Sequence, residues 1–104
     1  MNIDIKATNL DLTDPLKEYV ESKIGSLDKF IQNFDQDLIR AQVEVARLTK
    51  HHRHGDVLYA EVNLSLPGKM LRATHKAPDI RIAIDKVKDI LQREIRKYKD
   101  QLKS

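Results

Sequence analysis

Two stretches decide the fold: DLIRAQVEVARLT, residues 37–49, and DVLYAEVNLSL, residues 56–66. In the first, Ile39, Ala41, Val43 and Val45 alternate with Arg40, Gln42 and Glu44. In the second, Leu58, Ala60, Val62, Leu64 and Leu66 alternate with Tyr59, Glu61, Asn63 and Ser65. A period of two is the signature of a strand, and with one apolar face of two, each strand is half-buried. The polar tip Lys50–Gly55 joins them as a hairpin. One wet face has an architectural consequence: the helices of this chain must share the other face.

Outward from the hairpin the same logic continues. Pro67-Gly68 is a turn dipeptide leading into a third strand, Met70–His75, with Leu71 and Ala73 towards the core. Near the N-terminus, Ile3, Ile5 and Ala7 alternate with Asp4, Lys6 and Thr8, which predicts another half-buried strand over 2–8. Thr13-Asp14-Pro15 reads as a helix start, with a capping Thr or Asp and Pro in the first turn. Leu16, Tyr19, Val20, Ile24, Leu27, Phe30 and Ile31 follow at helical spacing, predicting one amphipathic helix of about four to five turns. Gly25 is expected on its outer face, and the polar stretch Gln32–Gln36 ends it. Pro78-Asp79 opens a long second helix carrying Ile80, Ala83, Ile84, Val87, Leu91, Ile95, Tyr98 and Leu102.

The expected order is β-α-β-β-β-α. The first two strands, joined through a helix, are expected to run parallel with a right-handed crossover, and the rest to follow as antiparallel hairpins. The fold class is α+β: a two-layer sandwich of a four-stranded sheet with both helices on one face, arranged like a double-stranded-RNA-binding domain. The 104 residues suffice for a single domain over 1–104.

Composition narrows the function classes. No cysteine means neither a disulfide framework nor a thiolate zinc site. Residues 1–6 begin no apolar run of signal-peptide length, and no stretch approaches the roughly 20 apolar residues that span a bilayer. A cytoplasmic protein without a membrane partner is expected. Charge is unevenly placed: the first 45 residues hold five Lys/Arg against nine Asp/Glu, while residues 69–104 hold eleven against five. A basic C-terminal third on a chain of net charge +3 suggests either a localised anion-binding surface or a solvated helix face.

Catalytic constellations are hard to find. Gly25, Gly55 and Gly68 are the three glycines, and none lies in a strand–Gly–helix phosphate loop. No serine sits in a nucleophile elbow, and the carboxylates are scattered over faces expected to be exposed. No enzyme activity, cofactor or small-molecule substrate is expected. The cluster Lys50-His51-His52-Arg53-His54-Gly55-Asp56 has metal-ligating residue types, but Lys50 and Arg53 would repel a cation and adjacent side chains point apart. A solvated turn is the plainer reading, and a basic tip touching RNA phosphate through Lys50, His52 and Arg53 lies between the two. His75 reads as structural or simply exposed.

At about 100° per residue, Lys86, Arg93 and Lys97 line one flank of the second helix's core stripe, and Arg81, Lys88 and Lys99 the other. Arg96 projects outward, and Asp85, Asp89 and Asp100 are expected mainly on the outer face. On the first helix, Lys23 falls inside the apolar arc of Tyr19, Val20, Leu27 and Phe30. Two readings stand side by side: a lysine snorkelling from the seam between the helices, or a basic groove to which both helices contribute.

With these residues in view, the chain resembles the ribosome hibernation promoting factor and ribosome-associated inhibitor family, also called sigma-54 modulation proteins. The resemblance covers essentially the whole chain. It rests on Asn2-Ile3-Asp4-Ile5, on Leu12-Thr13 leading into Leu16-Lys17-Glu18-Tyr19-Val20, and on Lys23-Ile24 followed by Leu27. It continues through Pro67-Gly68, Ala77, Asp79-Ile80 and above all Ala83-Ile84-Asp85, with the following Lys86-Val87-Lys88-Asp89-Ile90-Leu91, Gln92-Arg93-Glu94 and Lys97-Tyr98-Lys99. The set at one spacing is specific, whereas no single piece is.

The resemblance implies a ribosome-associated hibernation factor of the short type, a monomer when off the ribosome. It would occupy the decoding region of the small ribosomal subunit and block messenger RNA and transfer RNA in stationary phase or stress. The implied RNA-binding residues are Lys23, Lys86, Lys88, Arg93, Arg96 and Lys97. There are two departures. The hairpin from 37 to 66 is longer than in compact short members, and Arg81-Ile82 stands where the family often has an aromatic before the Ala-Ile-Asp triplet. Two other functions remain open: a protein-interaction module acting on a transcription (sigma) factor, and a general RNA chaperone.

Overall fold

The computed structural model describes residues 1–48 and 57–103. Its strands are β1 (Asn2–Thr8), β2 (Arg40–Leu48), β3 (Val57–Leu66) and β4 (Lys69–Ala77), and its α-helices are α1 (Asp14–Gly25) and α2 (Ile80–Lys103). The expected histidine-rich tip, with Lys50, His52 and Arg53, lies outside the described residues. The sheet order is β1-β2-β3-β4, with β1 parallel to β2 and both later pairings antiparallel.

Register follows from the alternation. Ile5, Val43, Val62 and Ala73 form one row across the sheet, and Ile3, Ala41, Leu64 and Leu71 the next. These rows face the core, where Val43, Val62, Leu64, Leu71 and Ala73 are buried. The same core cluster holds Leu16, Val20 and Ile24 of α1 and Ile84, Val87, Leu91 and Ile95 of α2, so both helices cover this one face. α2 lies over β3 and β4, and α1 lies against β1. Each large apolar side chain buried this way contributes about 1.5–3 kcal/mol. Among the described residues no polar or charged residue is buried.

The opposite face is open. Glu44 of β2 and Glu61 of β3 stand directly opposite each other there, a like-charge pairing that costs stability unless compensated. The compensation is local. Thr8 donates to Glu44 at 2.8 Å, while Glu61 accepts from Tyr59 at 2.7 Å, Asn63 at 3.0 Å and Arg72 at 2.9 Å. The Tyr59 hydroxyl, aided by Arg72 and Asn63, holds the Glu61 carboxyl below its usual range against the opposing effect of burial.

Helix ends obey simple capping rules. Thr13, rather than Asp14, caps α1: its hydroxyl accepts from the Leu16 N–H at 3.3 Å, with Pro15 in the first turn. Asp79 serves α2 in the same way, its carboxylate accepting from the Arg81 N–H at 2.9 Å.

Three expectations need correction. The first helix does not run to Ile31, because α1 ends at Gly25 and a 3₁₀ segment, Ser26–Phe30, takes over. Ser26 closes the last turn, its hydroxyl donating to the Lys23 carbonyl at 2.6 Å. Apolar spacing of three suits either winding, and Leu27 and Ile31 stay buried. Gly25 does not face outward; a Cβ there would sit 3.9 Å from Ile3 Cδ1 of β1. Nor does the second strand start at Asp37. A 3₁₀ turn, Gln36–Leu38, precedes it, with the Asp35 side chain accepting from the Asp37 N–H at 3.1 Å. Leu38 is consequently 60% exposed.

The β3–β4 turn is closely specified. Pro67 followed by Gly68 at φ +81° is the arrangement of a type II turn. The Tyr98 hydroxyl of α2 donates to the Pro67 carbonyl at 2.8 Å, tying the turn to the helix. A Cβ on Gly68 would lie 3.1 Å from that hydroxyl oxygen. Gly68→Ala is therefore expected to lower stability by about 1–2 kcal/mol, the cost of forcing a non-glycine residue into the left-handed region. Urea unfolding checks this, and an unchanged midpoint would show that the turn relaxes freely.

Candidate nucleic-acid interface

α2 is long because nothing interrupts it: from Ile80 to Lys103 it contains neither Gly nor Pro, and its apolar residues recur every three or four positions. Burial of Ile80, Ala83, Ile84, Val87, Leu91 and Ile95 fixes the helix rotation and so decides where each cation points. Lys86, Arg93 and Arg96 are exposed, and among the described residues they make no hydrogen bond or ion pair. Lys97, 70% exposed, stands 4.0 Å from Glu94 one turn back, an exposed pair worth little. Lys88 is 21% exposed, donating to Gln92 at 2.8 Å and lying 3.9 Å from Asp89.

These residues do not all converge. Lys97 shares a shallow depression with Lys69, Leu71 and Glu94, on the flank above β4. By helical rotation Lys86 and Arg93 lie between that flank and the outer ridge. Arg93 and Arg96 share a trough on the ridge with Asp89 and Gln92. Lys23 lies across the seam on the other flank, where α1 meets α2. Together they span the exposed surface of the helical layer.

At the seam, Lys23 is neither a lone snorkelling lysine nor part of a purely basic groove. Its ammonium is 3.5 Å from the Asp85 carboxylate and 5.7 Å from the centre of the Tyr19 ring. Asp85 does not take the outer face that the helical wheel suggests; it faces α1, where its Oδ1 accepts from the Tyr19 hydroxyl at 2.5 Å. That hydrogen bond to the carboxylate, with burial adding to it, raises the Tyr19 pKa above its usual value. Arg81, outside the expected site, places its guanidinium 4.9 Å from the same ring centre. Tyr19 and Lys23 are one helical turn apart, a signal visible in the sequence. Their link to Asp85 is not, because it joins positions 66 residues apart.

Further cations lie towards the α2 C-terminus. Lys99 donates to the Phe30 carbonyl at 2.8 Å, tying α2 to the 3₁₀ segment. His75 sits half-buried on the core side of β4, opposite Ala60. Among the described residues no cluster of three or more His, Cys, Asp or Glu residues could hold a metal ion. No helix among them is long and apolar enough to cross a membrane.

An open-faced four-stranded sheet, backed by two helices whose outer surface carries Lys86, Arg93 and Arg96 without partners among the described residues, defines a small α+β domain. The family model for "Sigma 54 modulation protein / S30EA ribosomal protein" matches residues 3–103, and the chain belongs to this family. It is 34% identical over 95 residues to the "Ribosome hibernation promotion factor" of Deinococcus radiodurans, covering 91% of this chain and 47% of that protein. With the protein of the same description from Lactococcus lactis, identity is 35% over 104 residues, covering 98% and 51% respectively. The chain thus spans about half the length of these relatives. The solved Thermus thermophilus Protein Y N-terminal domain superposes with a TM-score of 0.78 at 29% identity, covering 94% of this chain and 99% of that one. A "ribosomal subunit interface protein" from Coxiella burnetii, 20% identical with a TM-score of 0.73 and covering 96% and 99%, shares the fold.

Proposed function

We propose that residues 1–104 form a ribosome-binding domain of a hibernation factor, which sits on the small ribosomal subunit in the cytoplasm and keeps idle ribosomes from translating. The helical layer faces ribosomal RNA. Lys86, Arg93 and Lys97 contact phosphates from one flank of α2, Lys88 and Lys23 contribute from the other, and Arg96 contributes from the ridge between them. Seated in the decoding region, the domain excludes messenger RNA and transfer RNA during stationary phase or stress. The observation that carries this reading is that the exposed Lys86, Arg93 and Arg96 have no partner within the described residues, in a chain of this family. Cations left without internal partners keep their full charge for phosphate, and their contacts gain from counterion release.

Sedimentation tests the reading. The protein is expected to comigrate with small subunits and intact ribosomes from stationary-phase cells, and to leave them as salt rises. About six phosphate contacts imply a loss of affinity on the order of a thousandfold between roughly 50 and 200 mM salt. Protein that stays at the top of the gradient at low salt would contradict the proposal. Comigration insensitive to salt would contradict its electrostatic basis.

A further inference from the structure

We propose that Arg81 and Lys23, gathered on the Tyr19 ring at the α1–α2 seam, form a clamp for one RNA backbone phosphate, with Tyr19 and Asp85 as its positioning residues. The inference rests on the helical layer facing RNA and adds a site to it.

Two cations are held near one point, and only Lys23 meets a carboxylate there, at 3.5 Å from Asp85. The Arg81 guanidinium is 4.9 Å and the Lys23 ammonium 5.7 Å from the Tyr19 ring centre, and the electron-rich face of the ring favours both. Among the described residues the guanidinium meets no carboxylate, which leaves its planar fork free to take two phosphate oxygens. Lys23 is 41% exposed and has three donors, of which the single long contact to Asp85 engages one at most.

Asp85 is the unfavourable group for an anion, and its geometry shows how the opposition is limited. Its Oδ1 is occupied by the Tyr19 hydroxyl at 2.5 Å, while Lys23 stays a further ångström away at 3.5 Å. Tyrosine and lysine share this one oxygen, and the lysine's contact is the longer, which leaves most of its donor capacity for an incoming phosphate. Asp79, the other nearby acid, has its carboxylate turned to the Arg81 backbone N–H. Two opposite expectations follow. Removing the Asp85 charge with Asp85→Asn tightens anion binding, whereas Tyr19→Phe keeps the ring but releases Asp85 to Lys23 and weakens it.

The test has two arms on the full chain. In the first, labelled protein is titrated with inorganic phosphate at constant ionic strength, and the side-chain signals of Arg81 and Lys23 are followed by NMR. Saturable shifts with a common midpoint are expected, abolished in Arg81→Met and Lys23→Met, strengthened several-fold in Asp85→Asn and weakened in Tyr19→Phe. In the second arm the same variants bind purified small subunits across a salt series, where Arg81→Met and Lys23→Met, singly or together, lower the salt slope by a total of about one, the share of the single phosphate they hold. Linear, unsaturable shifts like those of Arg40 on the open sheet face would overturn the clamp, as would unchanged slopes with subunit binding intact. Saturable phosphate shifts with no subunit binding by the parent chain would uphold the anion site and overturn the ribosome reading.

Discussion

Replacing Lys86, Arg93 and Lys97 together with Glu is expected to abolish association with the small ribosomal subunit while leaving the circular dichroism spectrum unchanged. All three side chains are exposed on α2, and the buried stripe through Ile84, Val87 and Leu91 does not involve them. Glu is as good a helix former as Lys or Arg, so the helix survives. Among the described residues the change breaks the 4.0 Å pairing of Lys97 with Glu94, worth a few tenths of a kcal/mol. Binding suffers far more. Even at about 1 kcal/mol for each cation–phosphate pair, removing three weakens it roughly a hundredfold, before counting repulsion from three new carboxylates. The salt slope falls by about three, one for each phosphate no longer neutralised. The matched control is Arg40→Glu with Lys76→Glu on the open sheet face. Lys6 is left unchanged, since it neighbours Glu44 in register, Glu44 faces Glu61, and a third acid in that row would cost stability. If the control pair abolishes binding and the helix triple does not, RNA meets the sheet.

The largest stability effect is expected from Leu91→Ala. Leu91 is wholly buried in α2, in one cluster with Val43 and Val62 of the central strands and Ile24 of α1. Truncation removes the transfer free energy of the deleted methyl and methylene groups and leaves a cavity that the sheet cannot close. The expected loss is about 2–5 kcal/mol, a large part of the total stability of a domain this size. Urea unfolding measures it directly. A midpoint equal to that of the parent protein would mean that this face of α2 does not meet the core.

The elements are legible because each carries its own period. Strand alternation identifies the core rows, the single apolar face of the hairpin places both helices on one side, and Pro78-Asp79 marks the start of α2. The break at Ser26 is not legible, since Ile24, Leu27 and Phe30 recur at a spacing that fits α and 3₁₀ windings alike. Asp85 shows a different limit. A helical wheel fixes its angle from Leu91, but one helix alone cannot say which neighbour lies on which flank. Once α1 is known to lie on that side, the same angle points Asp85 at Tyr19 and Lys23. The cations of α2 are legible as a surface because each has a defined angle to a buried stripe. Their freedom from partners among the described residues is not, because acceptors stand about one helical turn from all five cations, and Lys88 and Lys97 engage theirs while Lys86, Arg93 and Arg96 do not.

The absence of cysteine lets a single reporter thiol be placed on either face of the domain. A single cysteine introduced as Ile82→Cys at an exposed position of α2, or as Gln42→Cys at the exposed centre of the open sheet face, carries an iron chelate that cleaves nearby RNA. With small subunits bound, the helix position is expected to cut ribosomal RNA at a few discrete sites in the decoding region, and the sheet position to cut weakly or not at all. Strong cleavage from the sheet position with none from the helix would contradict binding through the helical layer.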